Sequence, residues 1–599
     1  MDGIQQAFRF QYQKSRGLVI KEVTVNYRKN DEIKLIIDDL GNEGEGIGHI
    51  DGFSFFIKDT AVGDHVTAKV MKVKKNMGFA KLVSVDTPSP DRVSPACPVS
   101  KSCGGCTLQH ISYEAELKYK DNKVYNCLKR IGGIPEEVLD RAKEPAVGME
   151  NTGRYRNKAQ YPIGVNSEGK AIAGFYSGRT HHIVEAEDCF LSPPEFKDIL
   201  RTVLLFLDEY RIPVYDETEG KGLIRHVLIR KGFNTGEIMT CIVASSEKIP
   251  HIDVLSERLM NISGMKSVCL NINPEKTNVI LGSKCVPLYG PMYIEDMLCG
   301  LRFRISPLSF YQVNPVMAEK LYHKAMEYAG LTQVQEKTAP ELQNGSAQDL
   351  SEDKRSEIWD ICCGIGTITL TTAKCAPNSL IHGVEIVQEA IADAKENASL
   401  NSIFNVDFTA APVEIYMPEY MKQNPGASAD VVIVDPPRKG LKPEVLDTIA
   451  ELSPSKVVYI SCDPATLARD LKLLLASGYT LQKYQVYDQF SRTSHVETVC
   501  LLSKGDVKSK KIRVEFSLED MDTDGFKKGA TYNAIRDWIK EKYGYRVTNL
   551  NIAQVKQKHG IIERENYNKP KSPDSKQPGC PEENVKAIED SMRHFQMID

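Results

Sequence analysis

The sequence predicts an α/β protein. Its C-terminal half folds as a doubly wound, Rossmann-like parallel sheet, with a small antiparallel, OB-like β-barrel ahead of it, an α+β region between and an α-rich tail behind. Three observations predict this. Residues 357–503 alternate apolar strand runs with helical ones, the pattern of a parallel sheet covered on both faces. Residues 32–85 break into short runs (EIKLIID, GEGIGHI, FSFFIKD, DHVTAKVMKV and GFAKLVSV) punctuated by Gly41, Gly44, Gly46, Gly48, Gly52 and Gly63, which suits a small barrel. At roughly 150 residues per domain, 599 residues imply about four domains. A hydrophobic content of 41% supplies their cores and excludes a disordered or collagen-like chain.

In chain order, residues 1–24 read as a weakly ordered lead-in, and the barrel follows. Between Val66 and Val85 stand Lys69, Lys72, Lys74, Lys75 and Lys81 with no acid among them. They form either a solvated strand face or a phosphate-contacting one. Residues 86–111 are rich in Pro, Ser and Cys. Residues 112–133 have helical periodicity and stop at Gly132-Gly133. Residues 150–300 mix strands and helices, and 315–330 predict a helix. Residues 332–357 are polar and apolar-poor, the composition of a mobile insertion. In the tail, TYNAIRDWIKEKYGYRVTNLNIAQVKQKHG predicts two short helices around Gly544, and a final helix closes the chain. Lys556 and Lys558 there serve either RNA docking or packing. No fixed-period repeat is present.

Charge narrows the function classes. Seventy-six Lys and Arg against 80 Asp and Glu leave −4, so any nucleic-acid binding comes from local patches. No apolar run reaches the roughly 18 residues of a membrane span. The start, MDGIQQAFRFQYQKSRG, has no apolar core or small-residue cleavage site, so no signal peptide is expected. Fifteen cysteines in this length are too sparse for a disulfide scaffold and point to a reducing cytoplasm, where clustered thiols bind metal or do chemistry.

Two groups of residues suggest ligands. Cys97, Cys103 and Cys106 are spaced C-x5-C-x2-C, and Gly104-Gly105 lets the backbone fold tightly between the last two. Cys189, in EAEDCFLSP, can complete a set of four thiolates. Such a set suits zinc or an iron–sulfur cluster. The first gap of five, with no second C-x2-C pair, favours iron–sulfur. Further along, EIWDICCGIGTITL ends a strand at Asp360 and turns into a helix through Gly364-x-Gly366. HGVEIV then carries Glu385 where doubly wound folds place the acid that binds ribose hydroxyls. Thr369 stands where a dinucleotide motif has its third glycine, which favours S-adenosylmethionine, a methyl donor with no phosphate to cradle. DVVIVDPPRKG is a buried strand opening into a stiff Asp435-Pro436-Pro437 turn, suited to holding a planar base beside the donor.

Two more residues suggest chemistry. VVYISCDPATLARDL puts Cys462 at the carboxyl end of a strand, where open α/β sheets bind ligands, just ahead of a helix whose N-terminus can lower a thiol pKa. SRTSHVETVCLL puts His495 and Glu497 at the start of another strand. A Glu at such a mouth is often merely solvated; as a general base it needs a pKa raised by partial burial.

With GNEGEGIGHIDG, SCGGCTLQHISYEAELKYK, GRYRNKAQYP, LIRHVLIRKG, NINPEKTNVILG, FYQVNP, DICCGIGT, DPPRKG, SCDPATLARDL and SHVETV on the page, residues 30–503 resemble the RNA uracil-5-methyltransferase family, in particular members with an N-terminal TRAM domain and a 4Fe-4S cluster. The resemblance implies methylation of a uridine in 23S ribosomal RNA or, in some members, transfer RNA. It implies Cys462 as nucleophile and Glu497 as base. Cys97, Cys103, Cys106 and Cys189 become cluster ligands, and Gln312, Cys362, Gly364, Gly366, Glu385 and Asp435 line the S-adenosylmethionine site. It further implies discontinuous domains: a lead-in (1–24), a TRAM RNA-binding barrel (25–85), a central iron–sulfur domain (86–111 and 141–300), a methyltransferase domain (112–140 and 301–505) and an accessory tail (506–599). RNA is the partner, in the cytoplasm, and no membrane or obligate protein partner is expected. The chain departs from the family at Cys362, where an aromatic residue is usual, at Ala411–Glu414, where a glycine usually opens the segment, and at Ser491, where proline is common. A cytosine-5-methyltransferase is disfavoured because Arg438, not Cys, follows Pro437. A non-catalytic iron–sulfur RNA-binding sensor stays the alternative from another class.

Overall fold

The computed structural model describes residues 27–331, 356–425, 427, 429–504, 532–545, 547–559, 580–595 and 597–598. The expected lead-in (1–24) and all but the last two residues of the expected insertion (332–357) lie outside the described residues.

Five strands close the N-terminal barrel: β1 (Glu32–Leu40), β2 (Gly46–Ile50), β3 (Phe53–Ile57), β4 (His65–Val73) and β5 (Met77–Thr87), in the order β1-β2-β3-β5-β4. Alternation drives it. Ile33, Leu35 and Ile37 of β1 point inward with Phe53, Phe55, Ile57, Val66, Ala68 and Val70. Pairing is antiparallel except between β3 and β5, which run parallel where the chain crosses over to close the barrel. Gly48 is required on β2, because a Cβ there would lie 2.4 Å from the Ile36 carbonyl oxygen. Lys69, Lys72, Lys74, Lys75 and Lys81 are all exposed.

Helices α1 (Tyr113–Arg130) and α2 (Glu136–Ala142) come next. Ser112 caps α1 by accepting from the Ala115 N–H at 3.2 Å, a contact worth about 1 kcal/mol. The central region is a seven-stranded sheet of β6 (Lys158–Val165), β7 (Ala171–Tyr176), β8 (Ile183–Glu185), β9 (Ile224–Lys231), β10 (Ile238–Ala244), β11 (Met265–Ile272) and β12 (Lys284–Tyr289), ordered β12-β11-β10-β9-β6-β7-β8. Helices α3 (Glu195–Glu209) and α4 (Ile252–Met260) bury Phe196, Leu200, Val203, Leu255 and Leu259 against it. A hairpin of β13 (Ile294–Leu298) and β14 (Leu301–Ile305) leads to α5 (Pro315–Ala329), which Asn314 caps and Gly330 ends at φ +85°.

The last sheet of this unit contains β15 (Glu357–Ile361), β16 (Leu380–Glu385), β17 (Val406–Ala410), β18 (Val431–Val434), β19 (Lys456–Ser461), β20 (Tyr479–Tyr487) and β21 (Glu497–Lys504), ordered β17-β16-β15-β18-β19-β21-β20. Strands β15 to β19 are parallel, and β21 slots antiparallel between β19 and β20. Helices α6 (Thr367–Cys375) and α7 (Gln388–Leu400) share one face with α5. Helices α8 (Val413–Gln423), α9 (Pro443–Leu452) and α10 (Pro464–Ala476) share the other with α1 and α2. Thus Val124, Cys127 and Leu128, from the N-terminal third of the chain, complete the core under β19 and α10. Strand order reverses at β15, between β16 and β18, the switch point where such sheets bind ligands.

Residues 507–599 form a second unit. Its described part is α11 (Tyr532–Tyr543), α12 (Asn549–Lys558) and α13 (Glu582–His594), around Ile535, Ile539, Ile552, Val555, Ile588 and Met592. Lys556 is buried, with its ammonium 4.7 Å from the centre of the Tyr532 ring, and Lys558 reaches Glu589 at 3.3 Å. Lys556 is therefore a packing residue and not a docking one.

Candidate active site

Every expected cofactor and catalytic residue except Gln312 sits at or just beyond one edge of the last sheet, at the carboxyl ends of β15, β16, β18 and β19 or the start of β21. Gln312 joins them from the segment before α5. The turn after β15 takes left-handed backbone at Cys362 (φ +68°), Gly364 (+55°) and Gly366 (+83°). A Cβ on Gly364 would meet nothing within 4 Å, so this side of the turn faces open space. Glu385 holds the turn from the next strand. Its Oε2 accepts from the Gly364 N–H at 3.3 Å, while Oε1 accepts from Ile386 and Val387 N–H groups at 2.8 and 3.1 Å. On the other side of β15, Asp435 Oδ2 accepts from Gln312 Nε2 at 3.4 Å, and Gln489 Nε2 donates to Gln312 Oε1 at 3.3 Å. Burial pushes the Asp435 carboxyl up to about 7, against the Gln312 hydrogen bond. Cys362 lies among these acids, its thiol pushed up to about 12 by burial and by Glu385, Asp360 and Asp435.

Register brings the two reactive groups together. Strands β19 and β21 pair antiparallel with Ser461 opposite Thr498, so one step further faces Cys462 towards Glu497. Glu497 is buried, and its Oε2 has no hydrogen-bond partner. Burial, then Asp435, raises its carboxyl well above the usual range, opposed by Arg438. The Cys462 thiol is pushed up to about 12 by burial, then by Glu497 and Asp435, again opposed by Arg438. The expected helix-terminus depression of this thiol is therefore overturned. Asp463 caps α10, its Oδ1 accepting from the Ala465 and Thr466 N–H groups at 3.0 and 2.9 Å, and so takes the donors that would have stabilised a thiolate. Arg438 Nη2 also stands 3.4 Å from His495 Nε2, and burial pushes that imidazole down to about 4, so it is neutral at pH 7.

The loop carrying His495 is fixed from a distance. Lys120 of α1 is fully buried and donates to Glu116 Oε1 (2.7 Å), Asp488 Oδ1 (2.6 Å) and the Phe490 carbonyl (3.0 Å). Tyr113 donates to Asp488 Oδ2 at 2.7 Å, and the Arg492 N–H donates to Glu116 Oε1 at 2.6 Å. Ser491 donates to the Thr152 carbonyl at 2.7 Å.

Cys97, Cys103, Cys106 and Cys189 line one cavity of about 230 Å³ together with Gln109, Arg156 and Lys158. The Gly105 N–H donates to Cys103 Sγ at 3.4 Å. The Cys106 thiol is pushed up to about 12 by burial, with Cys189, Cys103 and Cys97 adding to it. Arg156 Nε is buried with no hydrogen-bond partner. A chain of contacts links this cavity to the loop above: Thr107 and Leu108 donate their N–H groups to the Arg492 carbonyl at 2.9 and 3.1 Å, and Thr107 Oγ1 accepts from the Ser494 N–H at 3.1 Å.

Residues 311–505 match the family model described as tRNA (Uracil-5-)-methyltransferase, and residues 28–83 match that of the TRAM domain. A protein of Clostridium acetobutylicum named an RNA methyltransferase is 42% identical over 486 residues, covering 81% of this chain and 100% of its own length. The chain belongs to the RNA uracil-5-methyltransferase family. A relative from Halalkalibacterium halodurans, also named an RNA methyltransferase, is 43% identical over 475 residues, or 79% of this chain and 97% of its own. Among solved structures, Pyrococcus abyssi tRNA (uracil-54, C5)-methyltransferase in complex with S-adenosyl-L-homocysteine superposes with a TM-score of 0.59 at 26% identity, covering 78% of this chain and 99% of that one. The family depends on S-adenosylmethionine, and the residues at the β15 turn fit that group: an open glycine face, with carboxylates from Glu385 and Asp435 on either side.

Sequence reasoning missed two parts of this methyltransferase site. Arg438, noted only for not being cysteine, is the cation facing both Cys462 and Glu497. The Lys120–Glu116–Asp488 cluster was also missed. The i,i+4 spacing of Glu116 and Lys120 was visible, but the partner 368 residues away was not.

Proposed function

We propose that this chain methylates carbon 5 of a specific uridine in 23S ribosomal RNA, with Cys462 and Glu497 as the reacting groups. The observation that carries the reading is the facing of Cys462 and Glu497 across β19 and β21, with one carboxylate oxygen left without a partner. Uracil carbon 5 is a poor nucleophile until something adds at carbon 6. The Cys462 thiol gives its proton to solvent, its sulfur bonds to carbon 6, and the electron pair of the carbon 5–carbon 6 double bond moves on to carbon 5. That carbon would take the electrophilic methyl group that S-adenosylmethionine supplies when bound, the electron pair of the broken sulfur–methyl bond staying on the donor sulfur. Glu497 then takes the carbon 5 proton. The electrons of that C–H bond restore the carbon 5–carbon 6 double bond, and the sulfur departs as thiolate. Arg438, which faces both groups, stabilises the thiolate once the RNA has displaced water. A base in folded RNA has to be flipped out to reach this edge, and the exposed lysines of the barrel supply phosphate contacts.

We further propose that Cys97, Cys103, Cys106 and Cys189 hold a 4Fe-4S cluster. Four thiols on one cavity and the unpartnered Arg156 Nε beside them suit an anionic thiolate group.

The test is to incubate the full chain with S-adenosylmethionine and unmodified 23S or transfer RNA and to map 5-methyluridine. Product only in transfer RNA favours the second reading, which the likeness to the Pyrococcus enzyme supports. RNA carrying 5-fluorouridine should trap a covalent adduct on Cys462, because fluorine does not leave as a proton does. Active protein that never traps would refute the mechanism. Anaerobically purified protein should contain iron and sulfide, both lost in Cys103→Ser; zinc alone would overturn the cluster.

A further inference from the structure

A second group of metal-ligand side chains lies away from both sites already described. The β13–β14 hairpin turns on Cys299 and Gly300, both left-handed (φ +53° and +66°), with Leu298 paired to Leu301 across the turn. Glycine, asparagine and aspartate are the usual residues of such a turn. A cysteine with its Cβ in this backbone region is strained, and here its side chain is nevertheless buried, 8% exposed, against the core. Glu319 and His323 of α5 stand four residues apart, so both project from one face of that helix. The Cys299 sulfur, a Glu319 carboxylate oxygen and a His323 ring nitrogen all lie within 4.8 Å of one another. The Cys299 N–H donates to Glu319 Oε1 at 2.8 Å, which orients the carboxylate. His323 is exposed, so the group opens to solvent. Lys374 donates to the carbonyls of Cys299 and Gly300 at 3.0 and 3.3 Å, which anchors the turn to α6.

We propose that Cys299, Glu319 and His323 bind a zinc ion, leaving one coordination position for water. Zinc accepts this mixed thiolate, imidazole and carboxylate set, whereas magnesium and calcium call for oxygen ligands alone. On binding, the thiol gives its proton to solvent, and the sulfur, nitrogen and oxygen draw in from 4.8 Å or less to the roughly 3.3–3.6 Å edges of a tetrahedral site. The ion would tie the hairpin to α5. That helix is capped by Asn314, two residues past the Gln312 that contacts Asp435, so the tie restrains a wall of the cofactor cradle.

The probe is cobalt(II) alone, titrated into zinc-free, iron-loaded full-length protein, followed by displacement with zinc. The wild type should take up one cobalt with thiolate charge-transfer absorption and visible ligand-field bands, and release it to zinc. His323→Ala, at an exposed position that leaves packing intact, and Cys299→Ser should each weaken cobalt binding about tenfold or more, because even partners one shell further out are worth that much. Iron content should stay unchanged in both. Equal affinity in His323→Ala and the wild type overturns the proposal. So does a cobalt spectrum without thiolate absorption, or cobalt uptake abolished by Cys103→Ser and untouched by Cys299→Ser.

Discussion

Glu497 and Cys462 face each other across one strand pair, and burial raises both pKa values, which disfavours the thiolate in the free protein. That suits a nucleophile that should act only when RNA has filled the site. Glu497→Gln keeps the shape and removes the proton acceptor. The first covalent step should survive, release should slow by about 10²–10⁴-fold, and an RNA adduct on Cys462 should accumulate on denaturing gels. Full turnover in Glu497→Gln would assign the base elsewhere. The acids behind the cradle make a second prediction. Burial holds Asp360 and Asp435 up to about 7, against an ordinary aspartate value of 3.8. Between these values the folded chain keeps protons that the unfolded chain releases. Their contribution to stability is therefore present below 3.8 and lost as pH rises through 7. Asp360→Asn still accepts the Thr369 hydroxyl that Asp360 Oδ2 accepts at 2.6 Å, but it no longer titrates. Its melting temperature should fall less than that of the wild type between about pH 5 and about pH 7.5. An equal or steeper fall would contradict the burial argument.

Helix α1 does at the level of an element what no single motif announces. It lends Val124, Cys127 and Leu128 to a core whose other buried residues, apart from Ile134, Leu139 and Ala142, lie beyond 350, and it sends Lys120 into the loop before β21. Lys120→Met would leave Asp488 buried without its cation and Glu116 with Arg492 alone, 3.6 Å away, a loss of roughly 3–5 kcal/mol. Fluorescence of Trp359, with Trp538 replaced by phenylalanine, isolates this unit and should report an earlier denaturant midpoint for Lys120→Met. An unchanged midpoint would mean that the pair of acids is accommodated without the lysine. Legibility follows the same divide. Strand ends such as Ser461-Cys462 and Val434-Asp435 were readable because apolar runs stop sharply at polar or cysteine residues, and local turn chemistry revealed Gly364 and Gly366. The parallel β3–β5 pairing was not readable, since alternation fixes which face is buried but not which neighbour is paired. Nor was the raised Cys462 thiol, because its causes, burial and the Glu497 and Asp435 carboxyls, come together only in the folded sheet.

Across the whole molecule, the cysteine cavity and the catalytic loop share one backbone clasp. Thr107 and Leu108, directly after Cys106, hold the Arg492 carbonyl, and Thr107 Oγ1 holds the Ser494 N–H, three residues before Glu497. Arg492 itself sits in left-handed backbone at φ +66°, a conformation that persists only where surrounding contacts impose it. A metal cluster bound by Cys97, Cys103, Cys106 and Cys189 would therefore brace the segment that leads into Glu497, the proposed base. The route needs no movement of the β15 turn, where Glu385 and Gly364 hold the donor cradle by contacts of their own. Iron removal by chelation should accordingly lower the single-turnover methylation rate while leaving S-adenosylmethionine affinity nearly unchanged. A displacement of Glu497 by about 1 Å is enough to cost roughly 10²-fold in rate. Thr107→Ala, which keeps the four thiols and loses the hydroxyl that accepts from Ser494, should reproduce part of that loss with iron content intact. If chelation weakens donor binding as much as it slows methyl transfer, or if Thr107→Ala turns over normally while the iron-free protein does not, the clasp is not the link between the two sites.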